Sequence, residues 1–176
     1  TAALALERRL ARADAAPVSE VVFVGSAGLY AGSRNADAFA FSERFFDHDI
    51  GALEGKAHIP DLLRSESEPG GGPVARRIAV AAAFLSGGCN STNSITLTEV
   101  KLSEPLADRI AFENLETFGL ACVCEDHGLP FAAFFALTNR VGPRGSEEWR
   151  ANFRAMGQSL QQRLLAALAT NDEQGT

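Results

Sequence analysis

The sequence predicts an α/β domain, and three observations lead there. Val21, Val22, Phe23 and Val24 form a short, continuous apolar run rich in β-branched residues, the pattern of a strand buried in a parallel sheet. Residues 131–137 are again apolar throughout and follow a helix signalled over residues 115–127, which Gly128 and then Pro130 close. The final segment, residues 146–169, repeats Trp149, Phe153, Met156, Leu160, Leu164 and Leu168 at helical spacing, a stripe suited to core or subunit contact.

The other elements are read in chain order. Residues 2–13 set Ala and Leu at helical spacing against Glu7, Arg8, Arg9 and Arg12, an opening helix that ends before Pro17. The strand at 21–24 stops at Gly25-Ser26-Ala27-Gly28, where two glycines permit a sharp turn and close approach of backbone N–H groups to a ligand. Ligands of open α/β sheets sit at such carboxyl ends, although an ordinary βα turn fits the same residues. Residues 34–61 alternate short apolar stretches with Asp, His and Gly and read as strands and turns. Residues 65–73, with a triple glycine, form a flexible loop. Residues 74–85 suit a helix by alanine content and a strand by length and the following Gly87 and Gly88. A polar loop at 89–94 and a run at 95–100 lead to the helix at 115–127.

Composition bounds the function. With 176 residues, 46% of them hydrophobic, the chain fits one domain with a core of its own. A net charge of −6 offers no basic face to a phosphate backbone, so nucleic acid is not an expected partner. Cys89, Cys122 and Cys124 are an odd count without zinc-ligand spacing and are expected to be free thiols in a reducing compartment. No apolar run approaches the roughly 20 residues a bilayer crossing needs, and no signal-peptide pattern opens the sequence. The expectation is a soluble, cytoplasmic protein without a membrane partner.

The most informative stretch is Phe112-Glu113-Asn114-Leu115-Glu116-Thr117-Phe118-Gly119, then a helix, Gly128-Leu129-Pro130, a strand, and Thr138-Asn139. Glu113 and Glu116 would lie on one side of a first helical turn, where the helix dipole favours negative charge. Glu113-Asn114-Leu115-Glu116 resembles the V-E-M-E or E-N-M-E motif of the purine nucleoside phosphorylase and nucleosidase superfamily. The following Gly-Leu-Pro, strand and Leu137-Thr138-Asn139 resemble that superfamily's "G-[IV]-P … I-S-[DN]" segment. Asn139-Arg140-Val141-Gly142-Pro143-Arg144 is similar to the S-N-x-V-G-x-R ending of futalosine hydrolases. Upstream, residues 21–28 resemble the strand ending in G-[ST]-A-G, and Ser91-Thr92-Asn93-Ser94-Ile95 stands at the S-x-D-x-[IF] loop.

The resemblance implies a three-layer α/β/α sandwich with a mixed central sheet, in a homo-oligomer that completes its sites across subunits. It implies cleavage of the N-glycosidic bond of a purine nucleoside through an oxocarbenium-like transition state. No cofactor is implied, but inorganic phosphate would be co-substrate if the enzyme is a phosphorylase; hydrolysis and phosphorolysis stay open. Glu116 would accept hydrogen bonds from the ribose hydroxyls and place negative charge beside the developing cation. Asn139 would face the base, its amide pairing with N7 and O6 of a 6-oxopurine; unlike the Asp of methylthioadenosine nucleosidases it cannot act as a proton donor of that strength. Ser26, Ala27, Gly28, Asn93, Ile95, Asn114 and Leu115 complete the implied substrate-binding set. Relatives supply phosphate contacts or a water-activating carboxylate from strands and a loop before the opening helix; those positions have no counterpart in the sequence, so no such residue is named.

Other candidates carry less. His48, His58 and His127 share no metal-ligand spacing, so no metal is expected. Arg140 and Arg144 could hold an anion, while Ser26, Ser91 and Ser94 lack a His and Asp arrangement for covalent catalysis. A competing reading is a nucleoside-binding or scaffold subunit of the same fold with impaired catalysis. A dinucleotide binder ranks last, because the glycine fingerprint is missing.

Overall fold

The computed structural model describes residues 2–12, 16–32 and 38–172. Its elements are α1 (Ala2–Leu10), β1 (Val21–Leu29), β2 (Phe39–Ser42), β3 (Phe45–Phe46), α2 (Ile50–Leu53), β4 (Glu66–Ser67), α3 (Pro73–Ala81), β5 (Leu85–Ser86), β6 (Gly88–Ser91), α4 (Leu106–Arg109), β7 (Ile110–Asn114), α5 (Thr117–Asp126), β8 (Phe131–Arg140) and α6 (Gly145–Asp172). The strands form one eight-stranded sheet in the order β4-β3-β6-β7-β1-β8-β2-β5. It is mixed: β1 runs parallel to β8 and antiparallel to β7, while β8 runs antiparallel to β2.

Alternation along β8 builds the layers. Phe131, Ala133 and Phe135 face one side, where Leu120, Ala121 and Cys124 of α5 pack, with Leu6 of α1 against them. Ala132, Phe134 and Ala136 face the other, against Ala75, Ile78 and Ala79 of α3 and Leu160 and Leu164 of α6. A strand buried on both faces needs apolar residues at every position, which is why residues 131–137 read as a continuous apolar run. Each fully buried phenylalanine contributes about 1.5–3 kcal/mol of transfer free energy. The predicted three-layer α/β architecture is the one observed. A third cluster, with Tyr30, Phe46, Leu53, Val100, Ile110 and Val141, lies beyond the ends of β1 and β8.

Several boundaries differ from the sequence reading. Gly25 to Gly28 make no turn: β1 continues through them to Leu29, paired to β8 throughout. The two glycines supply space, since a Cβ on Gly25 would stand 2.5 Å from the Phe23 ring and one on Gly28 2.9 Å from Asn139 Nδ2. Residues 74–85 resolve mainly as helix, α3 beginning on Pro73, whose missing N–H costs nothing at a helix start. Glu113 belongs to β7 rather than to a helical turn, and α5 begins at Thr117. Residues 95–100 form no regular strand. Of the stretch read as strands and turns, residues 34–37 lie outside the described residues, as does residue 13 of the opening helix. No helix among the described residues is long and apolar enough to cross a membrane.

Candidate active site

The ends of β1, β7 and β8 converge on one cleft of about 330 Å³, within the range of small-ligand sites. Ser26, Ala27 and Gly28 come from β1, Glu113 and Asn114 from β7, Leu115 and Glu116 from the turn into α5, Asn139 from β8, and Gly145, Ser146 and Trp149 from the start of α6; Ile95 adds an apolar wall. The structure thus brings the expected Glu116 and Asn139 into the same cavity. Of the other residues expected at a substrate, Ser26, Ala27, Gly28, Ile95, Asn114 and Leu115 line it, whereas Asn93 lies outside the lining.

Local hydrogen bonds explain why the chain turns here. Asn114 Oδ1 accepts from the backbone N–H groups of Glu116 (2.8 Å) and Thr117 (3.1 Å), occupying two donors that the first turn of α5 leaves unpaired. Its Nδ2 donates to the Ser26 carbonyl at 3.0 Å, tying the turn to β1. The Asn114 amide is therefore committed to the scaffold. Ser91 Oγ, at the end of β6, accepts from the Phe118 N–H at 2.9 Å and meets the Thr117 hydroxyl at 3.2 Å. The exposed Glu116 carboxylate makes no hydrogen bond to the described residues, so both oxygens are available to a ligand.

Asn139 is aimed by an irregularity. The β1–β8 register shifts between Ala27 and Gly28, which pair with Leu137 and Asn139, so Thr138 is the extra residue of a bulge. Thr138 Oγ1 donates to Asn139 Oδ1 at 3.1 Å, Asn139 Nδ2 donates to the Arg140 carbonyl at 3.0 Å, and Asn152 of α6 donates to the Thr138 carbonyl at 2.8 Å. The amide then lies over Gly28, where any Cβ would collide with it.

Sequence reasoning missed four lining residues, Glu113, Gly145, Ser146 and Trp149, of which two carry chemistry. Trp149, read as part of an apolar stripe, is 40% exposed at the cleft. Its indole N–H donates to Ser26 Oγ at 3.1 Å and its ring stacks on Phe153 at 4.5 Å between centroids. Glu113 stands between the buried Phe112 and Asn114, and that strand alternation is the signal that could have found it. Its Oε2 accepts from the Tyr30 hydroxyl at 2.8 Å and the Thr96 hydroxyl at 2.7 Å. Tyr30 in turn accepts from Asn90 Nδ2 at 3.3 Å, and Asn90 brackets the His48 backbone, accepting from its N–H and donating to its carbonyl, each at 2.9 Å. Burial, reinforced by Glu113, raises the Tyr30 phenol far above its ordinary value, so it remains a hydrogen-bond donor.

The remaining candidates lie elsewhere. Cys89 is buried beneath Thr117, and burial pushes its thiol up to about 12; burial likewise pushes Cys124 up to about 11. Neither suits a nucleophile. All three cysteines are free thiols. Arg144 pairs with Glu148 at 3.3 Å, and Arg140 is outside the lining. No group of His, Cys, Asp or Glu among the described residues could hold a metal ion.

No family model and no curated protein sequence matches the chain. Solved structures do. A futalosine hydrolase mutant of Helicobacter pylori aligns at TM-score 0.74 and 14% identity over 96% of this chain and 75% of that one. The 5′-methylthioadenosine/S-adenosylhomocysteine nucleosidase of Neisseria meningitidis, in complex with methylthio-immucillin-A, aligns at 0.69 and 17% over 97% and 76%. The corresponding Helicobacter pylori nucleosidase, with 5′-methylthioadenosine in its active site, aligns at 0.67 and 13% over 87% and 69%. At such identities the likeness is one of architecture alone: the chain has the fold of the purine nucleoside phosphorylase and nucleosidase superfamily.

Proposed function

We propose that the protein cleaves the N-glycosidic bond of a purine nucleoside. The observation that carries this reading is that a carboxylate without a partner among the described residues, Glu116, and an amide, Asn139, meet in one cleft at the strand ends. Bond cleavage leaves positive charge on the sugar and moves electron density onto the base, so an acceptor for ribose hydroxyls and a donor for the base are both required. Glu116 serves the sugar, its charge stabilising the cation more as it develops. Asn139 serves the base through its N–H at N7 or O6. Leu115 and Ile95 supply apolar walls, and the Trp149 indole offers a flat face at the mouth.

Water is the proposed acceptor. The described lining carries two carboxylates, Glu113 and Glu116, whose charge opposes a phosphate dianion and leaves a neutral nucleophile unaffected. The named activities of the similar structures, a futalosine hydrolase and two nucleosidases, support the same choice.

Purified protein is incubated with inosine, futalosine or methylthioadenosine, with and without phosphate, and free base is measured. Release in water, unaffected by phosphate, is expected. Glu116→Gln, nearly isosteric, should lower kcat by about 10²–10³-fold with an unchanged unfolding transition. Unchanged kinetics in that variant, or binding without any release, refutes the reading.

A further inference from the structure

His48 is a buried titratable side chain to which the cleavage reading gives no part. It sits in the turn between β3 and α2, is 8% exposed, and neither ring nitrogen has a hydrogen-bond partner among the described residues. Its ring meets that of Phe46 at 5.8 Å and 83°. The charged groups that act on it are Glu66 of β4, Arg109 at the end of α4, and Asp47 and Asp49 of its own turn. Glu66 is already committed to Arg109, through two bonds at 2.8 and 2.5 Å. A neutral imidazole sits in this setting at the cost of one unmade donor and one unmade acceptor. An imidazolium brings two N–H donors and a charge, for which the described residues provide no acceptor. The buried position and the protonated ring are therefore incompatible.

The same residue is tied to the cleft through its backbone. Asn90, fully buried on β6, accepts from the His48 N–H and donates to the His48 carbonyl, each at 2.9 Å. Its Nδ2 also donates to the Tyr30 hydroxyl at 3.3 Å, and that hydroxyl donates to Glu113 Oε2 at 2.8 Å on the border of the cleft. Among the described residues, every bond of the Asn90 amide thus goes to His48 or to Tyr30. Movement of the turn removes two of the three. The turn itself lies at the surface, since Asp47 and Asp49 on either side of His48 are exposed.

We propose that His48 is a proton-operated latch on the wall of the cleft: a proton taken from solvent sends its ring out to water, the turn moves with it, and Asn90 loses the bracket that holds Tyr30 against Glu113. At neutral pH the ring is in and the chain from His48 through Asn90 and Tyr30 to Glu113 is complete. In acid the carboxylate loses its fixed orientation, with the Thr96 hydroxyl its remaining anchor. Burial, opposed by Glu66 and aided by Arg109, sets the change below about pH 6.5, the ordinary value of the ring. The device belongs to the cleft wall and holds whether or not a nucleoside is cleaved there.

Tyr30 is the only tyrosine, and the chain has three histidines, so both ends of the latch can be followed by NMR in the full chain labelled with 13C at tyrosine and histidine. Titration from about pH 8 to about pH 5 should move the Tyr30 ring resonance and the His48 Cε1–H resonance with one shared midpoint, while far-UV circular dichroism stays constant. In His48→Phe the Tyr30 resonance should stay flat over that range. In Asn90→Ala, His48 should still titrate and Tyr30 should no longer follow. The first comparison is made on the unaltered protein, so it decides even if a variant does not fold. The proposal is overturned if Tyr30 stays still while His48 titrates, if His48 remains neutral throughout, or if the Tyr30 shift persists in His48→Phe. A Tyr30 shift that coincides with loss of the far-UV signal also overturns it, because global unfolding and not a latch would then be the cause.

Discussion

Tyr30→Phe removes one oxygen from a fully buried side chain, which is 0% exposed. The ring keeps its contacts with Phe46, Leu53, Val100, Ile110 and Val141, so the apolar transfer contribution is nearly unchanged. Two polar interactions are lost. The first is the bond donated to Glu113 Oε2 at 2.8 Å. Bonds to charged groups contribute about 1.5–3 kcal/mol, and the half-buried Glu113 puts this one near the lower bound. The second is the Asn90 Nδ2 bond to the phenol oxygen at 3.3 Å; Asn90 keeps its bond to the His48 carbonyl at 2.9 Å, so the added cost is about 0.5 kcal/mol. Together the loss is about 2 kcal/mol. For a domain of this length that lowers Tm by about 4–8 °C. Thermal unfolding followed by circular dichroism at pH 7 reads it directly. A Tm within about 1 °C of the unaltered protein would mean that the hydroxyl contributes nothing and that Glu113 is not held as described.

Three further outcomes follow from other parts of the molecule. Gly28→Ala places a methyl 2.9 Å from Asn139 Nδ2 and 3.0 Å from Val141 Cγ2, so the amide must swing away; a displacement near 1 Å should cost about 10²-fold in kcat/KM for base release, and a wild-type value would show that Asn139 is not at the base. Burial lowers the basicity of His48, with Arg109 acting in the same sense and Glu66, Asp47 and Asp49 opposing, and neither ring nitrogen has a hydrogen-bond partner among the described residues. The unfolded chain therefore takes up that proton first, and stability should fall as pH drops below about 6.5 and level off below the depressed native value. His48→Phe should flatten denaturant-melt stability between pH 7 and 5, and an identical slope in the variant would refute the assignment. Finally, Cys89 and Cys124, pushed up to about 12 and about 11 by burial, should resist alkylation in the native state, leaving half-buried Cys122 the first thiol that iodoacetamide labels by mass spectrometry; native labelling at Cys89 would contradict the packing.

Long elements with one dominant signal were legible in the sequence. α6 and α5 showed helical spacing and a Gly128 stop, and the all-apolar run of β8 reported burial on both faces. Gly25 and Gly28 misled, because glycine marks both a turn and a strand position where another side chain must pass over the backbone, and only three-dimensional neighbours distinguish the two. Residues 74–85 stayed open since alanine-rich segments lack a strong period, and the packing of Ala75, Ile78 and Ala79 on β8 and α6 decides for helix. Glu116 and Asn139 were found through motif spacing. Glu113 was not, because its chemistry depends on partners, Tyr30 and Thr96, that are far away along the chain.

The cleft owes its polarity to the way the central strands end. β1 and β8 run in parallel as apolar strands over most of their length, then the bulge at Thr138 re-aims Asn139, and β7 crosses the end of β1 antiparallel for only two residue pairs, Gly28 with Glu113 and Leu29 with Phe112. An antiparallel overlap that brief sets Glu113 between β6 and the end of β1, where its side chain borders the cleft. Phe112, one residue earlier, is already fully buried beside Phe135. The position of the site is thus a consequence of register: a one-residue slip of β7 would turn Glu113 to the face that Phe112 now fills beside Phe135, where an ionised side chain without a full set of partners costs several kcal/mol.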